Sequence, residues 1–276
     1  MNKLSRCLML VWAVSWSGHG FTAELAHAAP AAGPEVLVQA HAHNDYEHAR
    51  PLLDALEQGF GSVEADIWLV DGRLLVAHNL EDVVPGRTLQ ALYLDPLRER
   101  IRRHGGRVYH DGPTCTLLVD VKSAAEPTTA ALLKVLAEYT NVLTQFTATN
   151  TATNALLVIL TGDRSAALVA AQPVRYAALD GRLADLETSA SASLIPWVSD
   201  NWAHYFKWRG VGPFPDEERQ RLRQFVARAH AQGRRLRFWG APDQPAGWRE
   251  LQAAGVDVIG TDRLAGLAEF LRAPAP

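Results

Sequence analysis

Apolar runs of strand length alternate with helix-length segments from Val36 almost to the C-terminus, and many of the runs end on ionisable residues. Val36–Ala40 reads as a first strand, and Pro51 opens a helix through Gln58 with Leu52, Leu53 and Leu56 on one face. Gly61–Leu69 is a second strand, Asp71-Gly72 a hairpin turn and Arg73–Ala77 the returning strand. A helix begins at Thr88. Thr116–Val121 is a third core strand, apolar almost throughout, as a strand buried on both faces should be. A helix over Thr128–Tyr139 and a polar loop over Thr144–Asn154 lead to a strand at Leu156–Leu160 and a short helix at Arg164–Ala171. Strands at Tyr176–Leu179 and Leu194–Val198 follow, joined by a Ser-containing loop rather than a helix. Then come a helix (Pro215–Gln232), a strand (Leu236–Trp239), a helix (Trp248–Ala254), a strand (Val256–Gly260) and a closing helix (Leu264–Leu271). Eight core strands separated mostly by helices predict parallel sheet, and the count predicts an α/β fold of the (β/α)8 TIM-barrel type over residues 36–276. In such a barrel catalytic groups gather at strand C-termini, where His41, Glu64, Asp66, Asp120, Asp163, Asp180, Asp200, Trp239 and Asp262 fall.

The first 28 residues read differently. Lys3 and Arg6 precede a short apolar run, and Ala26-His27-Ala28 fits a small-x-small cleavage site, which predicts a signal peptide and an exported, periplasmic or secreted protein. Residues 29–35 are Ala/Pro-rich and read as a linker. Cys7 leaves with the signal, so Cys115 is left without an intrachain disulfide partner. The 276 residues are 48% hydrophobic and 21% charged, an ordinary globular balance. A net charge of −3 supplies no basic stripe for a nucleic-acid partner. Trp197, Trp202, Tyr205, Phe206 and Trp208 form either a lipid-facing lip making transient membrane-surface contact or the packing of a loop.

The sharpest chemical signal is Glu64-Ala-Asp66. Residues two apart in a strand face the same side, so both carboxylates point to one place. Two buried carboxylates repel unless a cation lies between them. Asp120, at the end of the next core strand, brings a third. Three carboxylates with no nearby Cys describe a site for one hard divalent cation, Mg²⁺ or Ca²⁺. His41 and His78 bracket the acids and are the candidate acid–base pair, since imidazole serves both roles near neutral pH. Lys122 either stabilises charge on a phosphoryl oxygen or pairs with Asp120. His43 and Asn44 orient neighbours or hydrogen-bond substrate, and Asp45 caps a turn. The expected chemistry is metal-dependent hydrolysis of a small-molecule or lipid phosphodiester. A second reading takes His41-Ala-His43 with Asp262 and Lys122 as an amidohydrolase-type metal site. A non-catalytic binding barrel and a carboxylate-pair glycosidase are further alternatives.

Ala40-His41, Glu64-Ala-Asp66, Asp71-Gly72…Val76-Ala77-His78, Asp120-Val121-Lys122 and the run GVDVIGTD at 255–262 resemble the glycerophosphodiester phosphodiesterase superfamily, whose barrel is of the phospholipase-C-like kind. The run A-H-A-H-N-D-Y is also similar to the opening of spider-venom sphingomyelinase D. The longer pattern HAHNDY…SVEADIWLVDG…RTLQALYLDPL most resembles the altered inheritance of mitochondria protein 6 family. The resemblance implies His41 and His78 as catalytic histidines, Glu64, Asp66 and Asp120 as Mg²⁺ or Ca²⁺ ligands, and Lys122 and Trp239 beside a glycerophosphodiester or (lyso)phospholipid-like substrate. Ala42-His43 stands where typical glycerophosphodiesterases carry the Arg-Gly of H-R-G.

Overall fold

A computed structural model of the chain describes residues 33–274. The expected signal peptide and residues 29–32 of the linker lie outside the described residues. The elements in order are β1 (Leu37–Ala42), α1 (Leu53–Glu57), β2 (Phe60–Val70), β3 (Arg73–Val76), α2 (Asp95–Arg103), β4 (Cys115–Val121) and α3 (Ala125–Leu136). After them come β5 (Gln145–Phe146), β6 (Thr151–Ala152), β7 (Leu156–Gly162), α4 (Ala166–Ala170), β8 (Ala178–Gly181) and β9 (Trp197–Asn201). The last are α5 (Trp202–Tyr205), α6 (Asp216–Ala231), β10 (Arg235–Trp239), α7 (Pro245–Ala254), β11 (Ile259–Thr261) and α8 (Leu264–Arg272). Eight strands pair in parallel in the order β10-β9-β8-β7-β4-β2-β1-β11. A single parallel bridge between Arg237 of β10 and Val258, the residue before β11, makes the barrel nearly closed.

The expected (β/α)8 barrel is therefore the architecture, and its departures have local causes. β9 starts at Trp197 rather than Leu194 because Pro196 lacks the N–H that a ladder position needs. β8 starts at Ala178 because Arg175 pairs with Phe146 instead of the barrel. β11 starts late because Gly255, at φ +83°, ends α7, and the Val256 N–H caps Leu251 at 3.0 Å. The polar loop before β7 carries the small antiparallel pair β5–β6. Between β8 and β9 there is a tight helical turn, Leu183–Glu187, and no α-helix. The Asp71-Gly72 turn, with φ +49° and +75°, closes the β2–β3 hairpin as expected.

Apolar side chains divide into two groups. The larger lies between strands and helices and includes Val63, Ala65 and Ile67 from β2. The smaller fills the lumen with Leu118, Ile159, Ala178, Trp197 and Val258, with Phe146 beside them. The alternation of β2 thus sends Val63, Ala65 and Ile67 outward under the helices and Ser62, Glu64 and Asp66 inward. Trp197, Trp202, Phe206 and Trp208 are buried and Tyr205 packs against the same core, so the lipid-facing lip is not formed. These rings pack the loop around α5, Trp202 lying 4.1 Å from Phe206 between centroids. Trp197 is the floor of the lumen, edge-on to His41 at 6.0 Å. Among the described residues no helix is long and apolar enough to cross a membrane.

Candidate active site

The register of two neighbouring strands assembles the acids. Asp66 of β2 lies directly beside Asp120 of β4, and Glu64 lies beside Leu118 one inward position below. One oxygen from each of Glu64, Asp66 and Asp120 falls within 4.8 Å of the others, the one metal-sized group of ligands among the described residues. Asp66 Oδ1 and Asp120 Oδ1 are buried with no hydrogen-bond partner. Buried polar atoms are rarely left so, and unpartnered carboxylate oxygens suit a cation. Gly162 makes room for this: at φ +69° it leaves open the space beside Asp120 Oδ1 that a Cβ would fill.

The other oxygens are held by protein donors. Glu64 Oε2 accepts from Arg237 at 2.8 Å and from His41 Nε2 at 3.0 Å. Burial works against the Glu64 charge, but Arg237 and His41 outweigh it and hold the carboxyl well below its usual range. Asp66 Oδ2 accepts from Tyr46 Oη at 2.7 Å, Lys122 Nζ at 3.0 Å and His78 Nδ1 at 3.2 Å. Burial and then the charges of Glu64 and Asp120 push Asp66 up to about 6 despite Lys122. Burial also raises Asp120, whose Oδ2 is 2.7 Å from Lys122 Nζ. Burial lowers Lys122, but Asp120 and Asp66 outweigh it and raise it, so it stays cationic. The partner role left open for Lys122 is thus the one it has here, with both acids rather than Asp120 alone.

The histidines have different surroundings. His41 is fully buried at the end of β1, beyond a bulge that pairs it with Ser62. Burial, then Arg237, lowers it to about 4 against the pull of Glu64. A carboxylate only accepts, so Nε2–H points at Glu64, while Ser62 Oγ stands 3.0 Å from Nδ1. His78, after β3, has a side chain 50% exposed, its Nδ1 turned to Asp66 and Tyr46. His43 does not join His41: its Nδ1 lies 2.7 Å from Asp262 Oδ1. The two-histidine ligand pair of an amidohydrolase site is therefore not assembled. Asn44, in the left-handed region at φ +48°, reaches Tyr46 and Asp262. Trp239 is 39% exposed at the mouth and lines a cavity of about 100 Å³ with His43, Arg237, Asp243 and Asp262.

Asp45 is structural, accepting the Leu52 N–H at 2.5 Å and Tyr93 Oη at 2.9 Å from its buried position. Among the later strand ends, Asp180 is satisfied by Ser199 and Thr161, and Asp200 by backbone N–H groups and Tyr205. Sequence reasoning missed Arg237, Tyr46 and Ser62. Arg237 had a readable signal: a charged residue between Leu236 and Phe238 in a barrel strand points into the lumen. Tyr46 and Ser62 had none.

The barrel and its mouth of acids and imidazoles define a TIM-barrel protein with an enzyme-type site at the strand C-termini. Residues 34–180 match the family described as the AIM6-like phosphodiesterase domain, and the chain belongs to that family. Altered inheritance of mitochondria protein 6 of Eremothecium gossypii is 29% identical over 274 residues, covering 85% of this chain and 70% of the relative. The homolog from Arthroderma benhamiae is 28% identical over 261 residues, covering 82% of each chain. The crystal structure of a glycerophosphodiester phosphodiesterase from Parabacteroides distasonis shares the fold, with a TM-score of 0.52 at 16% identity, over 86% of this chain and 98% of that one.

Proposed function

We propose that this protein is a metal-dependent phosphodiester hydrolase acting on a glycerophosphodiester or (lyso)phospholipid-like substrate. The observation that carries the reading is the trio Glu64, Asp66 and Asp120, with ligand oxygens within 4.8 Å of one another and two buried oxygens unpartnered. These residues would hold one Mg²⁺ or Ca²⁺, which when bound polarises a phosphoryl oxygen. The protein's own groups do the rest. His41 and His78 lie on opposite flanks of the acids and are the proposed acid–base pair, one taking the proton of the attacking hydroxyl and the other protonating the departing oxygen. Tyr46 and Asp66 turn the Nδ1 edge of His78 inward, which leaves its Nε2 toward solvent and substrate. Ser62 holds the Nδ1 edge of His41 and so keeps Nε2 on the side of the acids. Arg237 and Lys122 are the cations beside the carboxylates, and Arg237 supplies a guanidinium at the mouth of a chain that lacks the arginine of H-R-G.

The test is a diesterase screen from bis-(p-nitrophenyl) phosphate to glycerophosphocholine and lysophospholipids, with EDTA and with Mg²⁺ or Ca²⁺ added back. Activity should vanish with EDTA, return with one cation, and be absent in Asp66→Asn and Asp120→Asn. A cation at 100 times its Kd should also stabilise the wild type by about 2.7 kcal/mol in thermal unfolding, and neither variant. Chelator-resistant cleavage of a glycoside would favour the carboxylate-pair glycosidase. Cation binding without turnover of any diester would favour the binding barrel.

A further inference from the structure

His41 and His78 leave one imidazole of the mouth without work. His43 follows β1, its backbone N–H tied to the carbonyl of Thr261 at 3.1 Å, so its position is set by the barrel and not by a free loop. Its Nδ1 is 2.7 Å from Asp262 Oδ1. Asp262 is itself held, its N–H donating to Asp243 Oδ2 at 3.1 Å. The His43 side chain is 35% exposed, and Nε2 makes no hydrogen bond among the described residues. An imidazole with one nitrogen fixed on a carboxylate and the other facing open space is arranged to take a proton from something in that space. His43 also lines a cavity of about 100 Å³ with Arg237, Trp239, Asp243 and Asp262. This cavity is too small for a whole lipid head group, and roomy enough for a few water molecules.

The charges around His43 favour the same role. Burial lowers its basicity, but the hydrogen bond to Asp262 and the field of Glu64 outweigh burial and the opposing Arg237. The hydrogen bond to Asp262 stabilises an imidazolium formed on His43. Asp262 is held below its usual range by His43 and stays a carboxylate.

We propose that His43, oriented by Asp262, is a further catalytic residue that activates the water opening a cyclic phosphate intermediate. This rests on the phosphodiesterase reading and divides it into two steps. In the first, a neighbouring hydroxyl of the substrate attacks phosphorus, its proton passes to one histidine of the His41/His78 pair, the bond to the head-group oxygen breaks, and the other histidine protonates that oxygen. In the second, water from the cavity loses a proton to His43 Nε2 and its oxygen bonds to phosphorus. The ring P–O bond breaks, and the histidine charged in the first step returns its proton to the ring oxygen. His43 then passes its proton to solvent, and the histidine that protonated the head-group oxygen takes one back from solvent, which closes the cycle. Asp262 is a positioning residue: it keeps Nε2 turned to the cavity and carries the charge of the imidazolium.

The experiment follows both steps in one sample by phosphorus NMR, using glycerophosphocholine, lysophosphatidylcholine and hydroxypropyl p-nitrophenyl phosphate. Wild type should yield the open phosphomonoester. In His43→Ala the ratio of ring opening to head-group release should fall on the order of 100-fold, so that cyclic phosphate accumulates. The ratio is internal to the folded fraction, so partial unfolding does not mimic the result. Added imidazole should restore ring opening in His43→Ala. Asp262→Asn should shift the same ratio in the same direction, without rescue by imidazole. An unchanged ratio in His43→Ala overturns the proposal, and so does a wild type that stops at the cyclic phosphate. Wild type that cleaves none of the three diesters overturns the phosphodiesterase reading, and this proposal with it.

Discussion

The ion pair between Arg237 and Glu64 is the most exacting test of the site, because both partners are enclosed. Their side chains are 4% and 6% exposed, and their nearest atoms are 2.8 Å apart. Consider Arg237→Met, which keeps much of the volume and removes the charge. With charge centres ~4 Å apart and an effective dielectric of ~20, the attraction lost is about 4 kcal/mol. Removing one partner of a buried pair typically costs about 3–5 kcal/mol, because the other charge stays behind. Burial, the largest cause that lowers His41, persists in the variant and opposes its taking over the guanidinium's role. At ~2–4 °C per kcal/mol for a domain of this size, Tm should fall on the order of 10 °C. The assay is thermal unfolding by circular dichroism at pH 7 in EDTA, so that no cation shields Glu64. Glu64→Gln and the double variant complete a cycle. The double variant should be more stable than Arg237→Met alone, with a coupling of about 2–3 kcal/mol. If the two single costs simply add, Glu64 is not a charged residue held by Arg237, and the electrostatic account of the site is wrong.

Two other consequences are open to direct measurement. Burial raises Asp45 to about 6, so the folded state binds its proton more tightly than the unfolded chain does. That preference is worth about 3 kcal/mol, fully present below about pH 4 and lost as pH rises through about 6. Asp45→Asn should therefore flatten this part of the stability profile in urea titrations between those values; a wild-type-to-variant difference that does not vary with pH would refute it. Gly162→Ala places a Cβ on Asp120 Oδ1 at a positive φ, which should cost about 1–3 kcal/mol and weaken the cation response of the melting curve. A variant that binds Mg²⁺ or Ca²⁺ like wild type would show that Asp120 Oδ1 does not face the ion.

The parts of the fold that depend on neighbours in the chain were legible. The outward run Val63, Ala65, Ile67 and the inward pair Glu64, Asp66 follow from a period of two, and the hairpin follows from Asp71-Gly72. Bounds failed where a distant partner decided them. The pairing of Arg175 with Phe146 holds the chain just before β8, which runs over Ala178–Gly181 instead of Tyr176–Leu179. The aromatic run from Trp197 to Trp208 reads equally as a lip or as packing, because hydrophobicity alone does not say which way a ring points. Burial under α6 and β10 decides it, where Phe225 and Phe238 meet Tyr205 and Phe206.

The site divides along the same line. One strand contains Glu64 and Asp66, so their convergence was already written in the chain, as was the placing of His41, His78 and Asp120 at strand ends. Which nitrogen meets which oxygen was not. His43 and Asp262 are 219 positions apart and meet because β1 lies beside β11. Arg237 reaches Glu64 across 173 positions because β10 faces β2 across the lumen of the barrel. Local alternation sets the face a side chain occupies. Only closure of the barrel sets what stands opposite, and with it the charge, the proton and the open side of each imidazole.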